Sequence, residues 1–306
     1  PYQETEGVSH EGVKEYLTGI SKYKPRDYQI EGVFDALQKN RRLIISPTGS
    51  GKSLMIYAVT RYHVSYERST LIVVPTTSLV EQMYKDFEDY GWDVERFCHK
   101  IYAGKDLISK KPVIISTWQS IYKLPKKWFE RFDVVIGDEA HQFKSKSLVS
   151  IMTKLYDTKY RYGFTGTLDG TQTHKWVLEG LFGPSYKIVN TKELQEKGYL
   201  AHLNIRVLLL KHDPITFDTY QDEIEYLITH EKRNKFIRNL VWDLKGNTLI
   251  LYSRVATHGE VLYDIINKVE RKIFFVHGGV DVEERESVRR ITEKEDNAII
   301  IASFGT

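Results

Sequence analysis

Cysteine is almost missing from this chain: 306 residues hold one, Cys98. A lone thiol excludes an internal disulfide framework and a cysteine-rich zinc site, and it fits a reducing compartment. Long apolar runs are missing too. The longest, such as 71–74 and 299–302, are strand-sized and fall far short of the ~20 residues that cross a bilayer. No secretory signal is legible at the start. There is little charge of one sign, since 44 Lys and Arg face 41 Asp and Glu for a net +3. That balance does not announce a nucleic-acid partner, so any such partner has to be argued from motifs. Low-complexity tracts and residue-level repeats are absent.

What remains is an ordinary globular composition, 41% hydrophobic and 28% charged, not that of a disordered chain. At roughly 150 residues per domain the length predicts about two domains. Both ends read as cut. Pro1 is not an initiator residue, and 302–306 follow directly on a β-like run that needs a cover. The expectation is a piece of a longer protein.

Short β-rich runs alternate with amphipathic stretches. Strands are predicted at 42–46, 70–74, 113–116, 134–138, 160–165, 205–210, 248–252, 272–276 and 298–302. Several are nearly continuous Ile, Val and Leu, as in strands buried on both faces of a parallel sheet. Helices are predicted at 27–38, 52–66, 77–90, 145–156, 171–181, 231–244, 257–269 and 282–293, with Ser145 and Thr257 placed as caps. Repeated β-α-β units predict a doubly wound α/β fold. The segment 191–202 has little apolar periodicity and follows Gly183-Pro184, so it reads as a linker. The predicted layout is a helical extension at 1–24, a first domain at 25–190, the linker at 191–202 and a second domain at 203–306.

The strongest motif is Ser46-Pro47-Thr48-Gly49-Ser50-Gly51-Lys52-Ser53. It lies between a β-run and a helical run, where a phosphate-binding loop belongs. Glycines let backbone N–H groups close around phosphate oxygens, and the helix N-terminus adds a favourable dipole. Lys52 would reach the β- and γ-phosphates and Ser53 would hold Mg²⁺, with Ser46 standing where a first glycine is usual. Asp138-Glu139-Ala140-His141 follows the apolar run 134–136. A carboxylate at the end of a buried parallel strand emerges beside the phosphate loop. Asp138 is then a Mg²⁺ ligand, and Glu139 is placed to polarise an attacking water. One histidine beside two carboxylates is no zinc constellation, so His141 is expected to bond Thr165 or Thr167.

At these residues the sequence resembles a superfamily 2 helicase or translocase of the DEAH type, from Pro25 onward. Arg26-Asp27-Tyr28-Gln29 resembles the adenine-reading motif, with Gln29 on the base edge. Pro75-Thr76-Thr77-Ser78-Leu79-Val80-Glu81-Gln82 and Ser116-Thr117-Trp118-Gln119 resemble strand-contact motifs. Phe164-Thr165-Gly166-Thr167 resembles the motif coupling hydrolysis to movement. Farther on, 249–253 with Ser253, Val276-His277-Gly278-Gly279, and 300–303 with Ser303 resemble nucleic-acid contacts. Within the superfamily the flavour is that of phage recombination-repair helicases of the UvsW kind, carried by 73–77, Thr117-Trp118-Gln119 and 125–129. The XPB-like and type III restriction translocases look more distant.

The resemblance implies two RecA-like domains flanking an ATP cleft, with the second one truncated. It also implies ATP and Mg²⁺ as cofactors, and branched, duplex or single-stranded DNA as partner, with recombination or replication proteins beside it. The expected location is the cytoplasm, that of the host if the source is a phage. Members of the family carry an arginine-rich motif past the point reached by Thr306, and losing an arginine finger elsewhere costs roughly 10³–10⁵ in rate. These 306 residues alone are therefore expected to bind ATP but hydrolyse it poorly.

Rival readings are an RNA helicase of the same superfamily, a nucleotide-dependent switch without translocation, and a plain binding module. Asn267-Lys268-Val269-Glu270 fails a guanine-reading motif at its last position, which weighs against a GTPase. The basic pairs Lys110-Lys111, Lys126-Lys127 and Arg289-Arg290 could track a phosphate backbone. Trp118 is the aromatic residue best placed to stack on a base.

Overall fold

The computed structural model describes residues 8–102, 106–143, 145–166, 168, 171–211, 215–292 and 294–304. The chain divides into two compact units, Pro1–Asn204 and Ile205–Thr306.

The first unit is built on a parallel sheet. Its strands are β1 (Arg41–Ile45), β2 (Thr70–Val74), β3 (Cys98–Ile101), β4 (Val113–Thr117), β5 (Val134–Gly137), β6 (Tyr160–Thr165) and β7 (Ser185–Lys187). They lie in the order β3-β4-β2-β5-β6-β1-β7. Successive side chains on a strand point to opposite faces, and the core divides accordingly. Ile44, Ile72, Val74, Ile115 and Phe164 face one hydrophobic cluster, while Leu43, Leu71, Val73 and Ile114 face another. The first face is covered by α1 (His10–Ile20), α2 (Asp27–Lys39), α3 (Lys52–Ser65) and α4 (Thr77–Asp89). The helices Lys146–Lys154 and Gln172–Phe182 cover the second. With both faces covered, the strands carry no polar alternation, which is why they read as continuous apolar runs.

In a parallel sheet all strands end at one edge. Register aligns Ile45 with Thr165, Val73 with Gly137, and Val74 with Thr117. The residues that follow β1, β2, β4, β5 and β6 therefore meet along that edge, and these are the motif residues.

The second unit holds a smaller parallel sheet, β8 (Thr248–Tyr252), β9 (Ile273–Val276) and β10 (Ile299–Ser303), ordered β8-β10-β9. Val241, Tyr252, Leu262, Ile266, Ile299 and Ile301 form its core.

Three expectations are corrected. The run 205–210 is not a strand. Its Ile205, Val207 and Leu209 are 78–85% exposed, and among the described residues it joins neither sheet. Apolar β-formers make a strand only when a neighbouring edge takes up their hydrogen bonds. The segment 191–202 is not a bare linker: Thr191–Glu196 is helical, capped by the Asn190 side chain on the Glu193 N–H. Its Leu194 is buried against Tyr28 and Val189. The stretch 191–200 thus packs with the first unit. The helix at 257–269 is also shorter, Glu260–Ile266, and is preceded by a wide π-type turn at Val255–Gly259.

Candidate functional site

The loop after β1 is shaped by its glycines. Gly49 and Gly51 take φ of 78° and 79°, the left-handed region that side chains with a Cβ resist. Gly51 directly precedes α3, so the loop delivers its backbone to a helix N-terminus. The Ser46 N–H donates to Thr165 O at 2.9 Å, which extends the β1–β6 ladder into the loop, and Ser50 N–H donates to Pro47 O at 3.1 Å. Lys52 Nζ points back over the loop and donates to Ser46 O at 3.4 Å. A Cβ on Gly166 would meet Thr48 Oγ1 at 3.3 Å and Lys52 Nζ at 3.6 Å, so the end of β6 lies directly against the loop. Pro47 and Thr48 complete its turn.

The predicted adenine-reading residues brace the same loop. Tyr28 Oη donates to Ser50 O at 2.9 Å and accepts from Arg26 Nη1 at 2.9 Å. Gln29 is buried, accepts the Arg26 N–H through Oε1 and donates from Nε2 to Ser50 O at 3.0 Å. In this conformation its amide is occupied by backbone. Two neighbours escaped the sequence reading because they lie in the expected linker. The Arg26 guanidinium stacks on Tyr199 at 4.0 Å, and Leu200 lies over Gly49.

Asp138 leaves β5 almost wholly buried, at 8% exposure. Burial, reinforced by the neighbouring Glu139 carboxylate, raises its pKa to about 6. The Glu139 N–H bonded to Oδ1, and then Lys52, pull the other way. Glu139 itself adopts φ 48°, a left-handed conformation rare for a residue with a side chain. Its carboxylate lies 3.4 Å from His141 Nδ1, which is 3.0 Å from Thr165 Oγ1. The expected His141–Thr165 link is therefore present, while Thr167 lies outside the described residues. His141 O is in turn bonded by His174 Nε2 at 3.0 Å.

Oxygen donors at Ser53 and Asp138 suit a hard cation such as Mg²⁺. Burial leaves an ionised Asp138 with little counter-charge, which a divalent ion would supply. Among the described residues no group of three or more His, Cys, Asp or Glu could hold a metal ion. A cation here would thus lean on phosphate and water as well as protein, as Mg²⁺ does. Tyr90, just past α4, lies 2.7 Å from the Ser53 hydroxyl; nothing in the sequence announced a contact 37 positions away.

The predicted strand-contact residues do not share one chemistry. Thr76 caps α4 through the Leu79 N–H, and Thr117 Oγ1 is bonded to Ser120 Oγ. Gln119 donates to Pro75 O at 3.2 Å, tying the two motif loops together. Trp118 is half-buried against Tyr122, whereas Gln82 is exposed. In the second unit Ser253 and Gly278 are exposed, His277 accepts the Gly279 N–H, and Ser303 closes β10. Of the basic pairs, Lys111 turns in to Cys98 O and Lys126 stacks on Tyr156. No helix among the described residues is long and apolar enough to cross a membrane.

Comparison with known proteins agrees with this geometry. The family described as type III restriction enzyme, res subunit, matches residues 22–170. The ATP-dependent DNA helicase uvsW of Enterobacteria phage T4 is 34% identical over 304 residues, covering 95% of this chain and 60% of the phage protein. A crystal structure of the UvsW helicase from bacteriophage T4 superimposes with a TM-score of 0.55 at 33% identity, over 61% of this chain and 70% of that one. The DNA 3'-5' translocase XPB2 of Sulfurisphaera tokodaii is 31% identical over 187 residues, covering 61% of this chain and 40% of the archaeal protein. The chain thus spans 60% or less of the length of these two curated relatives.

Proposed function

We propose a function from kinship: this chain belongs to the superfamily 2 helicase and translocase family, and it acts as an ATP-dependent DNA motor on branched or duplex DNA in recombination and repair. The observation that carries the reading is the convergence of the glycine loop, Lys52, Asp138, Glu139 and the His141–Thr165 pair on one sheet edge.

Each residue has a task its surroundings suit. Backbone N–H groups from Gly49 to Ser53 wrap the β-phosphate, and Lys52 leaves Ser46 O to meet the β- and γ-phosphate oxygens. Arg26, Tyr28 and Gln29 hold the rim of the loop where the base enters. Ser53 and Asp138 would hold Mg²⁺, which when bound offsets the charge of the phosphate oxygens. Glu139 takes the proton of the attacking water; its strained backbone fixes the carboxylate relative to Asp138. His141, bonded to Thr165, links that carboxylate to the end of β6 at Gly166 and so carries the state of the site into that strand. Thr76, Gln82, Thr117, Trp118 and Gln119, with Ser253, His277, Gly278 and Ser303, contact DNA, mainly at phosphate and sugar, which fixes register without reading sequence. Partner proteins of recombination or replication and a cytoplasmic location complete the proposal.

The test is ATP hydrolysis by the product of the full gene carrying this chain. Four-way-junction DNA, linear duplex, single-stranded DNA and single-stranded RNA are compared at fixed salt. Strongest stimulation by the junction supports the reading; stimulation by RNA alone replaces DNA with RNA. Glu139→Gln is expected to leave nucleotide binding intact and to abolish turnover, and unchanged turnover removes Glu139 from the base role.

A further inference from the structure

A hydroxyl that ligates a metal faces an accounting problem. Serine Oγ has one proton and two lone pairs. A cation takes a lone pair, so the proton needs an acceptor aimed elsewhere. In this chain a hydroxyl able to be that acceptor is built in. Tyr90 Oη sits 2.7 Å from Ser53 Oγ.

The phenol is held there firmly. Ser53 and Tyr57 share one face of α3, four residues apart, and the Tyr90 ring packs on Tyr57 with centroids 5.1 Å apart. Tyr23 closes on it edge-on at 5.8 Å. Tyr57 is wholly buried and is pinned in turn by its hydroxyl, which donates to Ile20 O at 2.7 Å. The backbone N–H of Tyr90 is bonded to the last turn of α4. A phenol oxygen can accept a hydroxyl proton as well as donate its own.

We propose that Tyr90 is a positioning residue for Ser53: by accepting the Ser53 proton it turns the lone pairs of Oγ toward the cation that accompanies the nucleotide. The proposal rests on the ATP-site reading above and adds to it a residue outside every matched motif. Groups that orient a metal ligand typically contribute roughly 10–100-fold to metal affinity.

The experiment is binding of the non-hydrolysable analogue β,γ-imido-ATP to the chain, with and without Mg²⁺, in the parent and in Tyr90→Phe. Phenylalanine keeps the ring packing and removes only the hydroxyl. The expected result is that the gain in affinity on adding Mg²⁺ falls by about tenfold or more, while affinity in EDTA is unchanged. In a Ser53→Ala background, where the ligand is already gone, Tyr90→Phe is expected to add nothing. A full Mg²⁺ gain in Tyr90→Phe overturns the proposal, as does an equal loss with and without the metal, which marks a packing role. If the parent itself shows no Mg²⁺ gain, the ATP-site reading fails and this inference with it.

Discussion

Replacing Asp138 with Asn should make the nucleotide-free protein more stable, although it removes a proposed metal ligand. The carboxyl pKa is raised from 3.8 to about 6, chiefly by burial. A raised acid contributes its stability below the unfolded pKa and loses it as pH rises through the folded one, so above pH 6 the ionised Asp138 works against folding. The shift of about two units at ~1.4 kcal/mol each corresponds to about 3 kcal/mol as an upper bound. Asparagine has the same shape, carries no charge and can still accept the Glu139 N–H. In the absence of divalent ions, Asp138→Asn should therefore stabilise the first unit by about 1–3 kcal/mol at pH 8. At ~2–4 °C per kcal/mol this is a rise of several degrees in the melting transition. The gain should shrink to about half at pH 5 and vanish below about pH 4, where both states are protonated. Thermal or urea unfolding followed at these pH values reads it directly. With Mg²⁺ and nucleotide present the order should reverse, because the parent alone gains the ligand's binding energy. A variant no more stable than the parent at pH 8 without metal would refute the argument that Asp138 is a buried charge awaiting a counter-ion.

Two further substitutions test the frame around the site. Gly51→Ala forces a Cβ into φ 79° and to within 2.3 Å of Gln29 Nε2, so it should destabilise by about 1–2 kcal/mol from backbone strain alone and abolish nucleotide binding; adding Gln29→Ala should recover only the steric part of the stability loss. Arg161 is buried at the opposite end of β6, donating to the carbonyls of Leu155, Thr158 and Leu181. Arg161→Met leaves those acceptors unmet and should lower stability in urea by about 2–4 kcal/mol, with nucleotide affinity of the folded protein unchanged.

The first unit was largely legible because its signals are local. Continuous apolar strands, a glycine loop between β1 and α3, and carboxylates at the end of β5 each carry their own sequence pattern. Short edge strands were not. β3 buries only the end residues of Cys98-His99-Lys100-Ile101, and β7 has three residues. Thr191–Glu196 also escaped, since a single buried residue, Leu194, anchors it. The converse failure is 205–210, where strong β-formers met no strand to pair with. Within the site, the motifs identified the loop, the carboxylates and the His141–Thr165 bond, but not Tyr90, Tyr199 or Leu200, because packing from distant positions leaves no spacing to read.

The central claim is that the edge of the first sheet is a Mg²⁺-dependent ATP site, and titration calorimetry of ATP into this chain with Mg²⁺ tests it most directly. The account predicts saturable binding that Lys52→Ala abolishes and Glu139→Gln preserves. Absence of binding, or binding indifferent to Lys52, would contradict it.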